Sequence, residues 1–236
     1  CPILFYDKMQ VVGPSGINIE RFDEKMKLEQ NRRLVTYYSL LTQMRVNGGN
    51  DYINLVNSIL SGKCNQQACL ENYDFKVMSD FNRFNNLQQK LEDEFTLSRM
   101  IAGYAWEWKS KKDKSLYDME LDGVKKQWNY RLENWVLSEG ADKQVGCIHT
   151  IQGFDLNYGF VIMGNEIGYD PESKEIIVRP ENYYDQNGRK TASKEELLEY
   201  IKHIYYVLMT RGIKGTYLYI CDDNLRKYVS SIIGEI

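Results

Sequence analysis

Apolar residues in this chain gather in short blocks of strand length, separated by polar stretches that permit helix. Val145-Gly-Cys-Ile148 and Tyr158-Gly-Phe-Val-Ile-Met163 are two such blocks, joined by a polar turn centred on Gly153. A helix rich in Leu, Glu and Lys is expected from about Ser193 to Arg211-Gly212, followed after Lys214-Gly215 by an alternating strand over 216–220. Further strands are expected at 3–6, 34–41, 74–78 and 98–103, and helices at 19–31, 51–60, 80–93 and 222–233. Asn50 or Asp51 is the expected cap of the 51–60 helix, and Leu225, Tyr228, Val229 and Ile232 fall on one face of the last helix. Residues 168–178 read as a hairpin, 179–191 as a long polar loop and Gly13-Pro-Ser-Gly16 as a turn.

Strands and helices therefore alternate, which predicts an α/β three-layer sandwich with a largely parallel sheet. With 236 residues and 43% hydrophobic content the chain can bury a sizeable core. No apolar run approaches the roughly 20 residues that span a bilayer, so no membrane partner is expected. The net charge of -3 makes no global case for nucleic-acid binding and leaves only a local basic groove open. Cys1, Cys64, Cys69, Cys147 and Cys221 suit a reduced cytoplasmic setting; with two histidines in the chain, Cys64 and Cys69 make a poor zinc half-site, and no metal centre is expected.

Candidate chemistry concentrates in two places. His149, Thr150, Gln152 and Asp155 fall within seven positions, in a loop expected at a strand's carboxyl end, where open α/β sheets hold ligands. The same residues also suit plain turn capping. Arg211 is expected at a helix C-terminus beside a glycine, where a guanidinium reaches phosphate oxygens or merely offsets the helix dipole. Arg45, at the exit of the 34–41 strand and before a helix, has a similar phosphate-facing setting. Trp106 and Lys109, in Tyr104-Ala-Trp-Glu-Trp108 and the basic run after it, suit single-stranded nucleic acid, although a tryptophan also suits the core. The Glu92-Asp-Glu94 cluster reads as a solvated helix face. No Gly-x-x-x-x-Gly-Lys-Ser/Thr loop occurs.

His149-Thr-Ile-Gln-Gly-Phe-Asp155 resembles the fifth helicase motif of superfamily-one ATPases, and Val207-Leu-Met-Thr-Arg-Gly212 resembles the sixth. With Gln43-Met-Arg45, Gly48-Gly-Asn-Asp-Tyr-Ile53 and Ser98-Arg-Met-Ile-Ala-Gly-Tyr-Ala-Trp106 in the same order, the chain is similar to the C-terminal portion of the Schlafen-like DNA/RNA helicase domain family of bacteria. The resemblance implies the second, RecA-like lobe of a two-lobed P-loop motor ATPase. Residues 1–20 would then be a remnant of the preceding lobe, a third-motif-like strand and loop whose Gln10 senses the γ-phosphate, and 21–236 the C-terminal lobe.

In that placement ATP and magnesium lie between this lobe and a missing N-terminal ATPase lobe. Arg211 and Arg45 act on the γ-phosphate; Thr150, Gln152, Gly153 and Asp155 line the nucleotide; His149, Trp106 and Lys109 face single-stranded DNA or RNA. Gln152 stands where relatives more often carry lysine. The implied function is that of a helicase or nucleic-acid-remodelling ATPase, with this chain alone not expected to hydrolyse ATP. A non-catalytic nucleic-acid- or protein-binding module of the same fold is the alternative, and a fused nuclease ranks last.

Overall fold

In the computed structural model, residues 3–14, 19–32, 36, 38–39, 43–185, 189–190 and 192–236 are described, and they build a central sheet with helices on both faces. The helices are α1 (Ile19–Asn31), α2 (Gly49–Leu60), α3 (Phe81–Phe95), α4 (Ile148–Ile151), α5 (Lys194–Met209) and α6 (Asp223–Ile233). The strands are β1 (Asp74–Val77), β2 (Ser98–Ala102), β3 (Met119–Leu121), β4 (Val124–Lys126), β5 (Val145–Cys147), β6 (Leu156–Met163), β7 (Ile167–Asp170), β8 (Glu175–Val178) and β9 (Gly212–Ile220).

Five strands pair in parallel in the order β1-β9-β6-β2-β5. Every residue of β6 except Asn157 is buried, as a strand covered on both faces requires. Its alternation divides the core. Tyr158, Phe160 and Ile162 pack with Phe81, Phe84 and Leu91 of α3 and with Trp128. Val161 and Met163 face the opposite layer, with Val56 and Ile59 of α2, Ile204 and Leu208 of α5 and Val229 of α6. The result is the expected three-layer sandwich of RecA-like type. Both sheet edges are covered: Ile236 N–H donates to the Val77 carbonyl at 3.0 Å along β1, and Val145 N–H to the Gln127 carbonyl at 2.9 Å along β5.

Local chemistry sets the helix starts. Ser193 and Glu196 form a reciprocal capping box on α5, with bonds of 3.1 and 2.8 Å. Asp80 accepts from Asn82 and Arg83 N–H at the start of α3, and Asp222 from Leu225 N–H at the start of α6. α2 departs from expectation: it follows Gly48 without a side-chain cap, and the Asn50 amide oxygen accepts from Gln43 N–H at 2.9 Å instead.

Three other expectations change. Residues 3–6 pair with no strand among the described residues, and Ile3, Leu4 and Phe5 stay exposed. β9 begins at Gly212, before the glycine that reads as a breaker: its register against β6 shifts between Leu156 and Tyr158, and at this irregularity a Cβ on Gly212 would stand 2.2 Å from the Gly215 carbonyl oxygen. β3 and β4 form an unforeseen hairpin around Asp122-Gly123, both at positive φ (47° and 80°), the conformation that such a two-residue turn demands. Most of the 34–41 strand, Ser15 and Gly16 of the expected turn, and positions 186–188 and 191 of the long loop lie outside the described residues.

Candidate functional site

Leu156 and Gly212 are register partners at the amino ends of β6 and β9, the central pair of the sheet. The residues just before them, Asp155 and Arg211, therefore emerge side by side, and Leu156 N–H donates to the Arg211 carbonyl at 2.9 Å. Arg211 lies at the junction of α5 and β9 and is only 2% exposed. Its Nε donates to the Val207 carbonyl at 3.1 Å and one terminal nitrogen to the Phe154 carbonyl at 3.5 Å. Among the described residues no carboxylate comes within 4.0 Å of this guanidinium.

A second arginine arrives from the loop before α2. Asn47 N–H donates to the Ile213 carbonyl at 2.9 Å and ties that loop to the start of β9. Arg45 then pairs through Nε with Asp155 at 2.5 Å, both side chains remaining partly open to solvent. Burial, followed by the neighbouring Arg45 charge, holds the Arg211 guanidinium down to about 10, against the opposing pull of Asp155, Asp7 and Tyr206. It is thus charged at neutral pH. A buried cation with no ion pair and another cation alongside is costly, and an anion offering several oxygens would relieve that cost.

The N-terminal segment closes one side. Asp7 caps the short turn Lys8–Gln10, accepting from Met9 N–H at 2.9 Å, and the Gln10 side-chain amide donates to Asp7 at 3.0 Å. The Val11 carbonyl lies 2.9 Å from Nδ1 of His203 on α5, about two turns before Arg211. Arg211, Arg45, Asp155 and, through Asp7, Gln10 thus converge at the amino edge of the sheet.

The loop expected to act as one unit is divided. Residues 148–155 are the whole crossover from the carboxyl end of β5 to the amino end of β6, about 20 Å apart along the sheet at strand rise. His149 remains at the carboxyl edge, its ring 5.8 Å from that of Tyr104. Thr150 is buried and donates from Oγ1 to the Cys147 carbonyl at 2.8 Å. Gln152 is half-buried after the last turn of α4, and Gly153 makes the bend at φ +86°. Trp106 is half-buried and packs edge-on against Trp128 at 6.3 Å, whereas Lys109 is exposed. Glu92 is no solvated acid: it pairs with buried Arg99 at 2.6 Å. Among the described residues no three His, Cys, Asp or Glu side chains gather as a metal site, and no helix is long and apolar enough to cross a membrane.

Residues 1–222 match the family described as Schlafen group 3, DNA/RNA helicase domain. The chain belongs to that family. An uncharacterized protein of Saccharomyces cerevisiae is 31% identical to it over 215 residues, covering 81% of this chain and 47% of the yeast protein. The chain therefore spans about half the length of that relative. No solved structure matches it.

Within this Schlafen helicase domain, sequence reasoning missed the aromatic supports of the arginine pair. Tyr206 is half-buried beside Arg211, its hydroxyl pushed up by burial and by Asp7. Tyr52 and Tyr73 donate to backbone carbonyls on either side of Arg211. Their only sequence signal is a tyrosine where an amphipathic pattern needs any large apolar residue.

Proposed function

We propose that this domain is the arginine-bearing lobe of a nucleic-acid-remodelling ATPase, which presents Arg211 and Arg45 to the phosphates of ATP held against a second, phosphate-binding lobe. The observation that carries the reading is Arg211 itself: a buried guanidinium, unpaired with any carboxylate among the described residues and set beside a second arginine. Positive charge fixed in a dry site stabilises the charge that develops on a transferring phosphoryl group. The pair fits phosphate oxygens. It does not fit magnesium, because Asp155 is already engaged by Arg45 and no three-ligand cluster adjoins it among the described residues. Magnesium would then be held from the second lobe.

Membership of a DNA/RNA helicase domain family supports DNA or RNA as the polymer that is moved. The exposed Lys109 and His149 at the carboxyl edge are where single strands would lie, with Trp106 packed beside them against Trp128, at the opposite end of the sheet from the phosphate site. Closure of two lobes on ATP would alter a groove that crosses both.

The test is nucleic-acid-stimulated ATP hydrolysis by the whole protein that carries this chain, beside its Arg211→Ala variant. Loss of turnover with nucleotide binding retained is expected. Unchanged turnover would remove Arg211 from the site.

A further inference from the structure

The backbone on both sides of Arg211 is held by side-chain hydroxyls, two from outside its own helix and strand and one from β9 itself. The Met209 carbonyl, left without a helical partner at the end of α5, accepts from the Tyr52 hydroxyl at 2.7 Å and from Thr216 Oγ1 at 3.0 Å. The Gly212 carbonyl accepts from the Tyr73 hydroxyl at 2.9 Å. Tyr73 and Thr216 hydroxyl oxygens lie 2.9 Å apart, and since each hydroxyl has a single proton, one of them shares it between this contact and its carbonyl, which joins the three side chains in one group. Tyr52 and Thr216 are fully buried and Tyr73 is 5% exposed.

The rings leave the hydroxyls little freedom. Tyr52 and Tyr73 have centroids 4.2 Å apart, and Phe75 packs edge-on to Tyr52 at 5.0 Å. Burial pushes the Tyr73 hydroxyl up to about 12 and that of Tyr52 well above its ordinary value, which keeps both as neutral donors at any physiological pH. Fixing the Met209 and Gly212 carbonyls fixes the 209–210 and 212–213 peptide planes, one residue out from Arg211 on either side. Tyr52 also belongs to α2, whose preceding loop carries Arg45, and its N–H donates to the Gly48 carbonyl of that loop at 3.2 Å.

We infer that Tyr52, Tyr73 and Thr216 are positioning residues whose hydroxyls lock the α5–β9 junction to the Arg45 loop, so that both arginines meet one phosphate group as a preset pair. This rests on the phosphate reading of the site. A catalytic charge displaced by about 1 Å can cost on the order of a hundredfold in rate, so the loss of one clamping bond is felt in turnover before it is felt in affinity.

The experiment uses the whole protein that carries this chain and compares wild type with Arg211→Ala, Tyr52→Phe, Tyr73→Phe, Thr216→Val and Thr216→Ser. ATP hydrolysis is normalised to folded protein, measured by circular dichroism at the assay temperature. The Phe and Val variants are expected to lose about tenfold or more in kcat with KM within about twofold, and Thr216→Ser, which keeps the hydroxyl, to stay near wild type. If Arg211→Ala is inactive while the hydroxyl variants turn over normally per folded molecule, the clamp is overturned and the phosphate reading stands. No turnover in the wild type, or full turnover in Arg211→Ala, overturns the phosphate reading and the clamp with it. Should a Phe variant fail to fold, the Thr216→Val and Thr216→Ser pair decides.

Discussion

Arg45 holds Asp155 at 2.5 Å, while Arg211, the more buried of the two arginines, has no carboxylate within 4.0 Å among the described residues. The carboxylate is thus spent on the rim of the site and the deeper charge is left for something else. A solvent-open ion pair contributes about 1 kcal/mol or less, so Asp155→Ala is expected to leave the unfolding midpoint nearly unchanged. It also removes the acidic partner that Arg45 has among the described residues and should strengthen the binding of ATP without magnesium. Calorimetric titration checks this. Weaker binding only when magnesium is present would show that Asp155 reaches the metal.

Arg211→Met keeps the apolar stem and removes the charge. Because a buried guanidinium with like charge beside it is a cost to folding, the variant should be as stable as wild type or more so, despite losing its two carbonyl contacts. Turnover should fall by roughly a thousandfold or more. Thermal denaturation alongside single-turnover hydrolysis gives both numbers, and a marked drop in stability with activity retained would make Arg211 a structural residue.

What could be read from the sequence was local or carried by motifs. Ser193, Asp80 and Asp222 announce their helices because capping is decided within three residues. Arg211, Arg45 and Asp155 stand out through resemblance to helicase motifs, and no spacing in the chain says that they meet. The Tyr52 hydroxyl finds its acceptor 157 residues away, which no local pattern encodes. The 3–6 run has strand composition, yet pairing depends on a neighbour that composition cannot supply. The crossover at 148–155 looked like one loop because sequence does not reveal that β5 ends level with the far end of β6.

Trp106 distinguishes packing from base stacking. It is half-buried against Trp128, whose indole N–H donates to the Trp106 carbonyl at 3.4 Å. Trp106→Ala is expected to cost about 2 kcal/mol in chemical denaturation, with oligonucleotide affinity per folded molecule unchanged. Lys109→Ala should instead leave stability alone and lower the salt dependence of binding by about one charge. Fluorescence anisotropy with a labelled single strand reads both; an affinity loss in a Trp106→Ala protein of normal stability would set a base against that ring.

Glu166 makes the fold sensitive to pH. Its carboxyl is fully buried; Oε1 accepts from the Tyr205 hydroxyl, Oε2 has no partner among the described residues, and Cys221 and Tyr183 face it with neutral groups. Burial raises it from 4.5 to about 7, outweighing the Tyr205 hydrogen bond. Between those values the folded chain keeps a proton that the unfolded chain has released. Stability should therefore fall as pH rises from 4.5 to about 7 and level off above. Glu166→Gln removes the ionisation and keeps an oxygen for Tyr205, so it should match wild type at about pH 5 and exceed it by on the order of 2 kcal/mol at about pH 8. Urea midpoints at the two pH values decide, and parallel profiles for the two proteins would mean that Glu166 titrates normally in the fold.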